Sequence, residues 1–163
     1  MSRIINEAAQ AAKAIKQHLK ANGIKASVKS SVFSMGDSVT VTIEQDLLPA
    51  AQKAVSAYCD QYQAGSFDGM IDLYEYNNSR NDIPQAKYVS VNFHFSDEIK
   101  QECWDHLRAH FECWKAGPIT YREAGNFWFY NQNGQNAVYR VLNGSDDHCR
   151  FWITRKPRVK LAA

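Results

Sequence analysis

The chain has 163 residues, of which 45% are apolar and 12% are aromatic. This is enough to bury the core of one domain, or of a domain with an appended subdomain, without metals or disulfides. The composition excludes general disorder, and no apolar run approaches the ~18 residues of a membrane span. Because the N-terminal residues also lack the apolar core of a signal peptide, we expect a soluble cytoplasmic protein whose four cysteines are thiols.

The net charge of +2 is distributed unevenly along the chain. Residues 1–35 carry six Lys/Arg and one Asp/Glu. Residues 36–82 carry two Lys/Arg and eight Asp/Glu, and residues 83–163 carry eleven Lys/Arg and eight Asp/Glu. A protein that mimics DNA over its whole surface would need a strongly negative net charge, so this class is excluded. The acidic middle and basic ends can meet different partners, or they form a solvated, salt-bridged surface.

The N-terminal third of the chain predicts a helix followed by a β-hairpin. Apolar residues at three- and four-residue steps predict a helix over residues 5–22, with a stop signal at Asn22-Gly23. Alternating apolar and polar residues on either side of the 33–37 connection predict two strands with one buried face.

The middle third predicts a second helix, an extended segment and a loop. The helix is expected over about residues 47–62, with Asp46 as its cap and Pro49 tolerated in its first turn. Residues 71–76 have an extended pattern, and residues 77–84 have the composition of a loop.

The C-terminal part predicts a β-prone strand over residues 88–95 and a third helix from about residue 97 to Trp114. Three short β segments are then expected, separated by turn-forming residues: 127–131, 137–142 and 149–154. The predicted architecture is therefore α+β, with the order α-β-β-α-β-β-α followed by a three-stranded β meander. We expect a mainly antiparallel sheet with helices on one face.

Four motifs occur in a fixed order in the first half of the chain: SMGDSV at 34–39, FDGM at 67–70, YEY at 74–76 and DIPQAKY at 82–88. Together these motifs resemble the twenty-ninth large polyvalent protein associated domain, over about the first 95 residues. We therefore divide the chain into a domain at 1–96 and a helix-plus-meander extension at 97–163, packed into the same globule.

The resemblance implies a protein of a mobile genetic element. Such domains occur in proteins of phages and conjugative plasmids, often in very long polyproteins thought to enter the recipient cell with the DNA and shield it from host defences. The resemblance thus implies a counter-defence factor, such as an anti-CRISPR or antirestriction protein, that acts in the cytoplasm of a bacterial host. It implies no catalytic residues.

Carboxylates are concentrated in and near the 67–88 segment: Asp68, Asp72, Glu75 and Asp82. Several oxygens beside a glycine could hold a divalent cation. The spacing lacks the alternation and terminal Glu of an EF-hand, which favours structural hydrogen bonds with Arg80 or Lys87 as partner. In an extended segment Asp72, Tyr74 and Tyr76 share one face, which is typical of a recognition surface.

A second polar cluster has the spacing C-x2-H-x3-H-x2-C: Cys103, His106, His110 and Cys113. Its two cysteines would lie about 15 Å apart along a helix axis, so one tetrahedral ion cannot bind all four side chains. His106 and His110 could hold a metal only with ligands from elsewhere, such as His148 or Cys149. The alternative is the packed face of the helix, so we predict no metal and no cofactor.

The C-terminal residues interleave basic and aromatic side chains, which is typical of contact with phosphates and unpaired bases. The nucleic-acid candidates are Arg150, Trp152, Arg155, Lys156, Arg158 and Lys160. Residues from Pro157 onward are also consistent with a disordered tail.

Three functional hypotheses follow. The first is a non-enzymatic protein that binds and blocks a host defence protein or complex, since no nucleophile elbow, phosphate loop or dinucleotide fingerprint is present. Its candidate contacts are Asp68, Asp72, Tyr74, Tyr76, Arg80, Asp82, Lys87, Trp128 and Tyr130. The second is a protein that binds DNA or RNA and coats incoming DNA of a mobile element. The third is a metal- or thiol-dependent enzyme.

Overall fold

The computed structural model describes residues 6–146 and 150–154. In chain order these residues form α1 (Glu7–Ala21), β1 (Ala26–Phe33), β2 (Gly36–Ile43), α2 (Pro49–Asp60), β3 (Ser66–Asp68), β4 (Leu73–Glu75), β5 (Tyr88–Phe93), α3 (Asp97–His110), α4 (Glu112–Lys115), α5 (Tyr121–Ala124), β6 (Trp128–Phe129), β7 (Gln132–Asn133), α6 (Gly134–Leu142) and α7 (Phe151–Thr154). The predicted α+β class is confirmed. None of the described helices has the length and hydropathy that a membrane crossing requires.

The described chain divides into two units. Unit 1 contains residues 6–45 and 53–94, and unit 2 contains residues 46–52, 95–146 and 150–154.

Helix α1 forms where the periodicity predicts it and is capped at both ends. The Asn6 side chain accepts a hydrogen bond from the Ala9 N–H at 2.8 Å, which satisfies one free donor of the first turn. At the other end the Ile24 N–H donates to the Leu19 carbonyl at 2.9 Å, in the pattern of a Schellman motif. The buried side of α1 packs on β1 and β2 and consists of Ala8, Ala11, Ala12, Ile15 and Leu19.

Unit 1 contains a three-stranded sheet with the order β1-β2-β5. β1 and β2 form the predicted antiparallel hairpin. β2 and β5 are parallel, with Val39 opposite Val89 and Val41 opposite Val91. The sheets of the described residues are mainly antiparallel, as predicted. The β2–β5 pair is the exception because a long crossover connects these strands, as parallel neighbours require.

The second helix begins at Pro49, at the first helical position, where the missing N–H of proline costs nothing. The prediction that Asp46 caps this helix is wrong. Its carboxylate instead accepts hydrogen bonds from the Ser96 N–H at 2.7 Å and the Ser96 hydroxyl at 2.5 Å. Of the extended segment expected at 71–76, residues 73–75 form β4.

The predicted helix that ends near Trp114 is divided into α3 and α4. Phe111 adopts an extended conformation, with φ −125° and ψ 120°, and interrupts the helix after His110. The Ser96 hydroxyl caps α3 by accepting a hydrogen bond from the Ile99 N–H.

The predicted three-stranded meander is wrong. Residues 137–142 lie in α6 and residues 151–154 form α7, while Cys149 lies outside the described residues. Only Trp128–Phe129 is a strand, and it pairs with Gln132–Asn133, which we expected in a turn. The reason is a helix signal that we read as strand: the Asn133 side chain accepts from the Asn136 N–H at 2.8 Å and caps a segment with helical apolar spacing.

Trp104 lies at the centre of the core of unit 2. Its ring is fully buried, and its indole N–H donates to the Pro118 carbonyl at 2.8 Å. A Cβ at Gly134 would lie 2.7 Å from this ring, so only glycine lets α6 approach it. The remaining large buried side chains of unit 2 include Ile99, Leu107, Trp114, Val138, Val141, Leu142 and Phe151.

Candidate functional site

Residues 66–76 of unit 1 form a two-stranded hairpin, which we call the acidic hairpin. β3 and β4 pair antiparallel, with Phe67 opposite Tyr74 and Asp68 opposite Leu73. The segment contains three acids and no base: Asp68, Asp72 and Glu75.

The acidic hairpin exposes large apolar side chains at and near its tip. Met70 is 94% exposed and Ile71 is 59% exposed. The flanking strands expose Phe67, Leu73 and, just beyond, Tyr76. Single exposed apolar residues are ordinary, but a cluster of them is typical of an interaction site. Our sequence analysis missed Met70 and Ile71, although an apolar pair between two aspartates was a usable signal.

The tip of the acidic hairpin has a defined backbone. The Asp68 carboxylate accepts a hydrogen bond from the Met70 N–H at 2.8 Å, which is the pattern of an Asx turn. Asp72 has a φ of +52°, so it leaves the extended conformation in which we expected it to share a face with Tyr74. At the base, a Cβ at Gly65 would lie 1.9 Å from the Glu75 carbonyl oxygen, so this close approach requires glycine.

Hydrogen bonds from Asn78 hold the base of the acidic hairpin. The Asn78 side chain donates to the Gln63 carbonyl at 2.8 Å and to the Asp60 carbonyl at 3.2 Å. The Asn78 N–H donates to the Ala64 carbonyl at 3.1 Å. One side chain therefore ties the hairpin to the end of α2.

The buried amide of Gln85 organises the loop that follows. Its oxygen accepts from the Arg80 N–H at 2.7 Å, and its nitrogen donates to the carbonyls of Gln61 at 3.0 Å and Asn78 at 2.9 Å. The buried side chain is thus satisfied by three hydrogen bonds. We did not single out Gln85, because nothing in its sequence context marks it as buried.

Arg80 and Asp82 form a two-pronged ion pair. The Arg80 Nε lies 2.9 Å from the Asp82 Oδ1, and a second guanidinium nitrogen donates to the other oxygen. Arg80 also donates to the Gln61 side chain at 3.2 Å. The hydrogen bond from Arg80 holds the pKa of the Asp82 carboxyl below its usual value, and Asp82 raises the pKa of Arg80. The predicted hydrogen bonding of Asp82 with Arg80 is thus present, and a role of Asp82 in partner contact stays a prediction.

Lys87 lies between the β1–β2 turn and two tyrosine rings. Its ammonium donates to the Met35 carbonyl at 2.9 Å and lies 4.9 Å from the centre of the Tyr74 ring and 5.6 Å from that of Tyr88. Its backbone N–H donates to the Asp37 carboxylate at 2.7 Å. Cation–π contacts of this kind hold a lysine and its aromatic neighbours in place.

The tyrosines of this region form a continuous series of ring contacts. Tyr74 contacts Tyr76 and Tyr88, with ring centroids 4.9 and 5.4 Å apart, and Tyr88 contacts Phe33 at 6.3 Å. The Tyr74 hydroxyl donates to the Lys87 carbonyl. Partial burial raises the pKa of Tyr74. Tyr74 is therefore half-buried and has a packing role, whereas Tyr76 is 65% exposed and can contact a partner.

A cavity of about 490 Å³ lies in unit 1 beside these groups. Its lining includes Glu7, Met35, Asp37, Tyr76, Arg80 and Lys87. Both cations already have partners, Asp82 for Arg80 and the Met35 carbonyl for Lys87. We therefore assign no charged ligand to this cavity.

The two metal candidates pack against each other. The His106 and His110 rings stack with centroids 4.2 Å apart, and the His110 Nδ1 lies 2.9 Å from the His106 carbonyl oxygen. Within residues 6–146 and 150–154, no group of three or more His, Cys, Asp or Glu side chains could hold a metal ion. The other ligands considered, His148 and Cys149, lie outside the described residues.

Unit 2 exposes aromatic side chains on a second hairpin, residues 127–133, which we call the aromatic hairpin. Trp128 is 57% exposed and Tyr130, with a φ of +54°, is 89% exposed. Phe129 packs on the buried Trp114, with ring centroids 6.0 Å apart. The two predicted contact residues of this segment are thus on the surface, and their neighbour Phe129, itself 42% exposed, contacts the buried Trp114 ring.

The nucleic-acid candidates are only partly described. Arg150 is exposed, with a φ of +55°. Trp152 is half-buried, and its indole N–H donates to the Val141 carbonyl at 2.9 Å. The other candidates, Arg155, Lys156, Arg158 and Lys160, lie outside the described residues. Their role stays a prediction.

A family model described as large polyvalent protein associated domain 29 matches residues 6–103. The resemblance predicted from the sequence motifs is confirmed. The domain family is associated with polyvalent proteins of phages and plasmids, which is consistent with an accessory role in a mobile genetic element. No curated protein and no solved structure matches the chain at a significant level.

Proposed function

The chain belongs to the large polyvalent protein associated domain 29 family, and from this membership and the acidic hairpin we propose that it binds and blocks a host defence component. The proposed activity is of the anti-CRISPR or antirestriction type, exerted by a phage or plasmid accessory protein in the host cytoplasm. It requires a complementary surface and no catalytic group.

The observation that carries this proposal is the apolar tip of the acidic hairpin. Met70 and Ile71 are exposed to solvent at the tip of the hairpin and are not part of the buried core. Burial of such side chains is worth about 1.5–3 kcal/mol each. A protruding pair of this kind fits the central contact of an interface, which a few desolvated side chains dominate.

The charges around this tip indicate the kind of partner. Asp68, Asp72 and Glu75 flank the apolar residues, and the neighbouring Arg80 is neutralised by Asp82. An acidic rim selects a basic partner surface and speeds the encounter at low salt. Defence proteins that bind nucleic acid present such surfaces. We therefore propose a partner with an apolar cleft bordered by Lys and Arg.

The proposal is tested in a host that carries a defence system, by pull-down of the partner and by phage plating. The serine double variant Met70→Ser/Ile71→Ser is compared with the wild type. Loss of one interface hot spot of ~2 kcal/mol weakens binding about 30-fold. We therefore expect the double variant to lose the pull-down and to restore the defence against plating.

Ile119→Ser is the matched control, because Ile119 is 74% exposed and belongs to unit 2. This variant should bind the partner and rescue plating as the wild type does. A wild-type protein that captures no defence component and rescues no plating would contradict the proposal. Equal activity of the wild type and the double variant would show that the hairpin tip is not the contact site.

The second candidate function is protection of incoming mobile-element DNA by direct binding. The exposed Arg150 and the basic residues after it support this candidate, since cations next to aromatic rings suit phosphates and bases. The internal hydrogen bond of Trp152 counts against this side chain as a freely stacking ring.

A further inference from the structure

The face of the three-stranded sheet opposite α1 has an unusual composition. In β2 the buried Val39, Val41 and Ile43 point to the side on which α1 packs, so the alternate residues point to the opposite side. Helix α2 lies beside α1, with the Tyr58 ring stacked 3.5 Å from that of His18.

The register of the strands arranges the opposite face in three rows. The rows, each written in the order β1, β2, β5, are Ser27-Thr42-Asn92, Lys29-Thr40-Ser90 and Ser31-Ser38-Tyr88. The Ser90 and Thr40 hydroxyls lie 3.5 Å apart, which confirms that they share this face. We call these nine residues, together with Phe33, the hydroxyl face.

The hydroxyl face combines three kinds of chemistry. Its centre consists of hydroxyl and amide groups that donate and accept hydrogen bonds. Phe33, which is 44% exposed, and Tyr88 form an aromatic pair at one end. Lys29 is exposed on the middle row, and the Lys87 ammonium lies 5.6 Å from the centre of the Tyr88 ring. Lys29 brings positive charge to this face, whereas the Lys87 ammonium is already bound to the Met35 carbonyl.

The three rows contain no carboxylate. The acid next along β2 on this face is Glu44, at the end remote from the aromatic pair, and its carboxylate lies 3.9 Å from the Lys25 ammonium. The negative charge at that end is thus balanced, and Lys29 is the charged side chain of the three rows.

From this combination we propose that the hydroxyl face binds single-stranded nucleic acid. The exposed Phe33 ring stacks on a base, the half-buried Tyr88 supports Phe33 from the sheet, Lys29 contacts the phosphates, and the hydroxyls bond to base edges and sugars. A sheet that carries exposed rings beside cations is a common way to hold an unpaired strand. A protein partner would need an apolar centre, which the rows of small polar side chains do not supply.

The experiment measures fluorescence anisotropy of labelled oligo-dT and oligo-U of about 12 nucleotides, with a duplex of the same length as comparison. We expect single strands to bind at least about tenfold more tightly than the duplex, because base stacking needs unpaired bases. Tighter binding of oligo-dT assigns DNA as the ligand, and tighter binding of oligo-U assigns RNA.

Two variants locate the contact on the hydroxyl face. Phe33→Leu should weaken single-strand binding about 5- to 150-fold, the effect of one lost base stack of ~1–3 kcal/mol. Lys29→Gln should reduce the slope of log affinity against log salt by about 0.7, the effect of one lost phosphate contact on a single strand. Circular dichroism and thermal melting check that both variants fold as the wild type does.

Three comparison variants make the result decisive. Lys13→Gln removes an exposed lysine from α1, on the opposite side of the sheet, and should leave affinity and salt slope unchanged. Met70→Ser/Ile71→Ser should also bind oligonucleotides normally, because these two residues lie at the hairpin tip and are not part of the hydroxyl face. A variant with Arg155, Lys156, Arg158 and Lys160 neutralised separates the C-terminal basic residues from the sheet.

The proposal is overturned by any of three results. The first is duplex binding as tight as single-strand binding. The second is wild-type affinity in both Phe33→Leu and Lys29→Gln, including the case in which the neutralised C-terminal variant alone loses binding. The third is a loss in Lys13→Gln as large as that in Lys29→Gln, which would indicate nonspecific attraction by net charge.

Discussion

The acidic hairpin of unit 1 and the aromatic hairpin of unit 2 both expose large apolar side chains, but they are held in different ways. Met70 is 94% exposed and Tyr130 is 89% exposed. The acidic hairpin is fixed by hydrogen bonds from Asn78 at its base and by Tyr74, which packs on Tyr88, so its apolar tip residues are not what holds it. The aromatic hairpin rests on rings, since Phe129 packs on the buried Trp114.

This difference shows which of the two hairpins exposes apolar side chains that have no packing role. In the aromatic hairpin the exposed Tyr130 ring contacts Phe129, which packs on Trp114, so the exposed apolar surface of Tyr130 and Phe129 has a structural reason. The apolar tip of the acidic hairpin has no such connection in the described residues, apart from the turn bond between Asp68 and Met70. Its exposure is therefore the better indication of a binding role.

The largest expected effect concerns the core beneath the aromatic hairpin. Trp104→Ala removes a fully buried ring and its bond to the Pro118 carbonyl, which should lower the free energy of unfolding by about 3–5 kcal/mol. Trp128→Ala should change it by less than about 0.5 kcal/mol, because Trp128 is mostly exposed. Urea denaturation of both variants measures the contrast. Equal losses would show that Trp128 is part of the core.

Sequence reasoning succeeded where the structure is determined locally. Helix α1 and the β1–β2 hairpin were predictable because their apolar residues keep one period from end to end and the stop at Asn22 is specific. The Arg80–Asp82 pair was predictable because its members are two residues apart. The family was identified from four motifs that all lie in unit 1, and the family model matches residues 6–103.

It failed where distant residues decide the local structure. Residues 137–142 combine β-prone and helix-prone side chains, and the cap at Asn133 and the packing of Gly134 on Trp104 select the helix. The burial of Gln85 depends on the carbonyls of Gln61 and Asn78, which no local pattern brings together. The exposure of Met70 and Ile71 likewise follows from the hairpin that carries them.

The second prediction concerns the polar base of the acidic hairpin. Asn78→Ala removes two hydrogen bonds to carbonyls and should cost about 1–2 kcal/mol of stability. Amide hydrogen exchange should accelerate in residues 66–75 while unit 2 keeps its protection, since the hairpin opens locally. Asn77→Ala is the control. Asn77 donates to the exposed Ser66 hydroxyl, so this substitution should change the free energy of unfolding by less than about 0.5 kcal/mol. Unchanged exchange in Asn78→Ala would mean that the strand pairing and the Tyr74 contacts hold the hairpin without Asn78.

The smallest expected effect is electrostatic and lies beside the acidic hairpin. The hydrogen bond from Arg80 lowers the pKa of Asp82, so the ion pair contributes at neutral pH and its contribution is lost as the pH falls through that lowered pKa. Arg80→Gln should return the pKa of Asp82 towards its ordinary value, which NMR titration of the side-chain carboxyl measures. Because both members of the pair are exposed, global stability should hardly change. A large loss of stability in Arg80→Gln would instead show that the loop around Gln85 depends on the Arg80 side chain as well as on its backbone N–H.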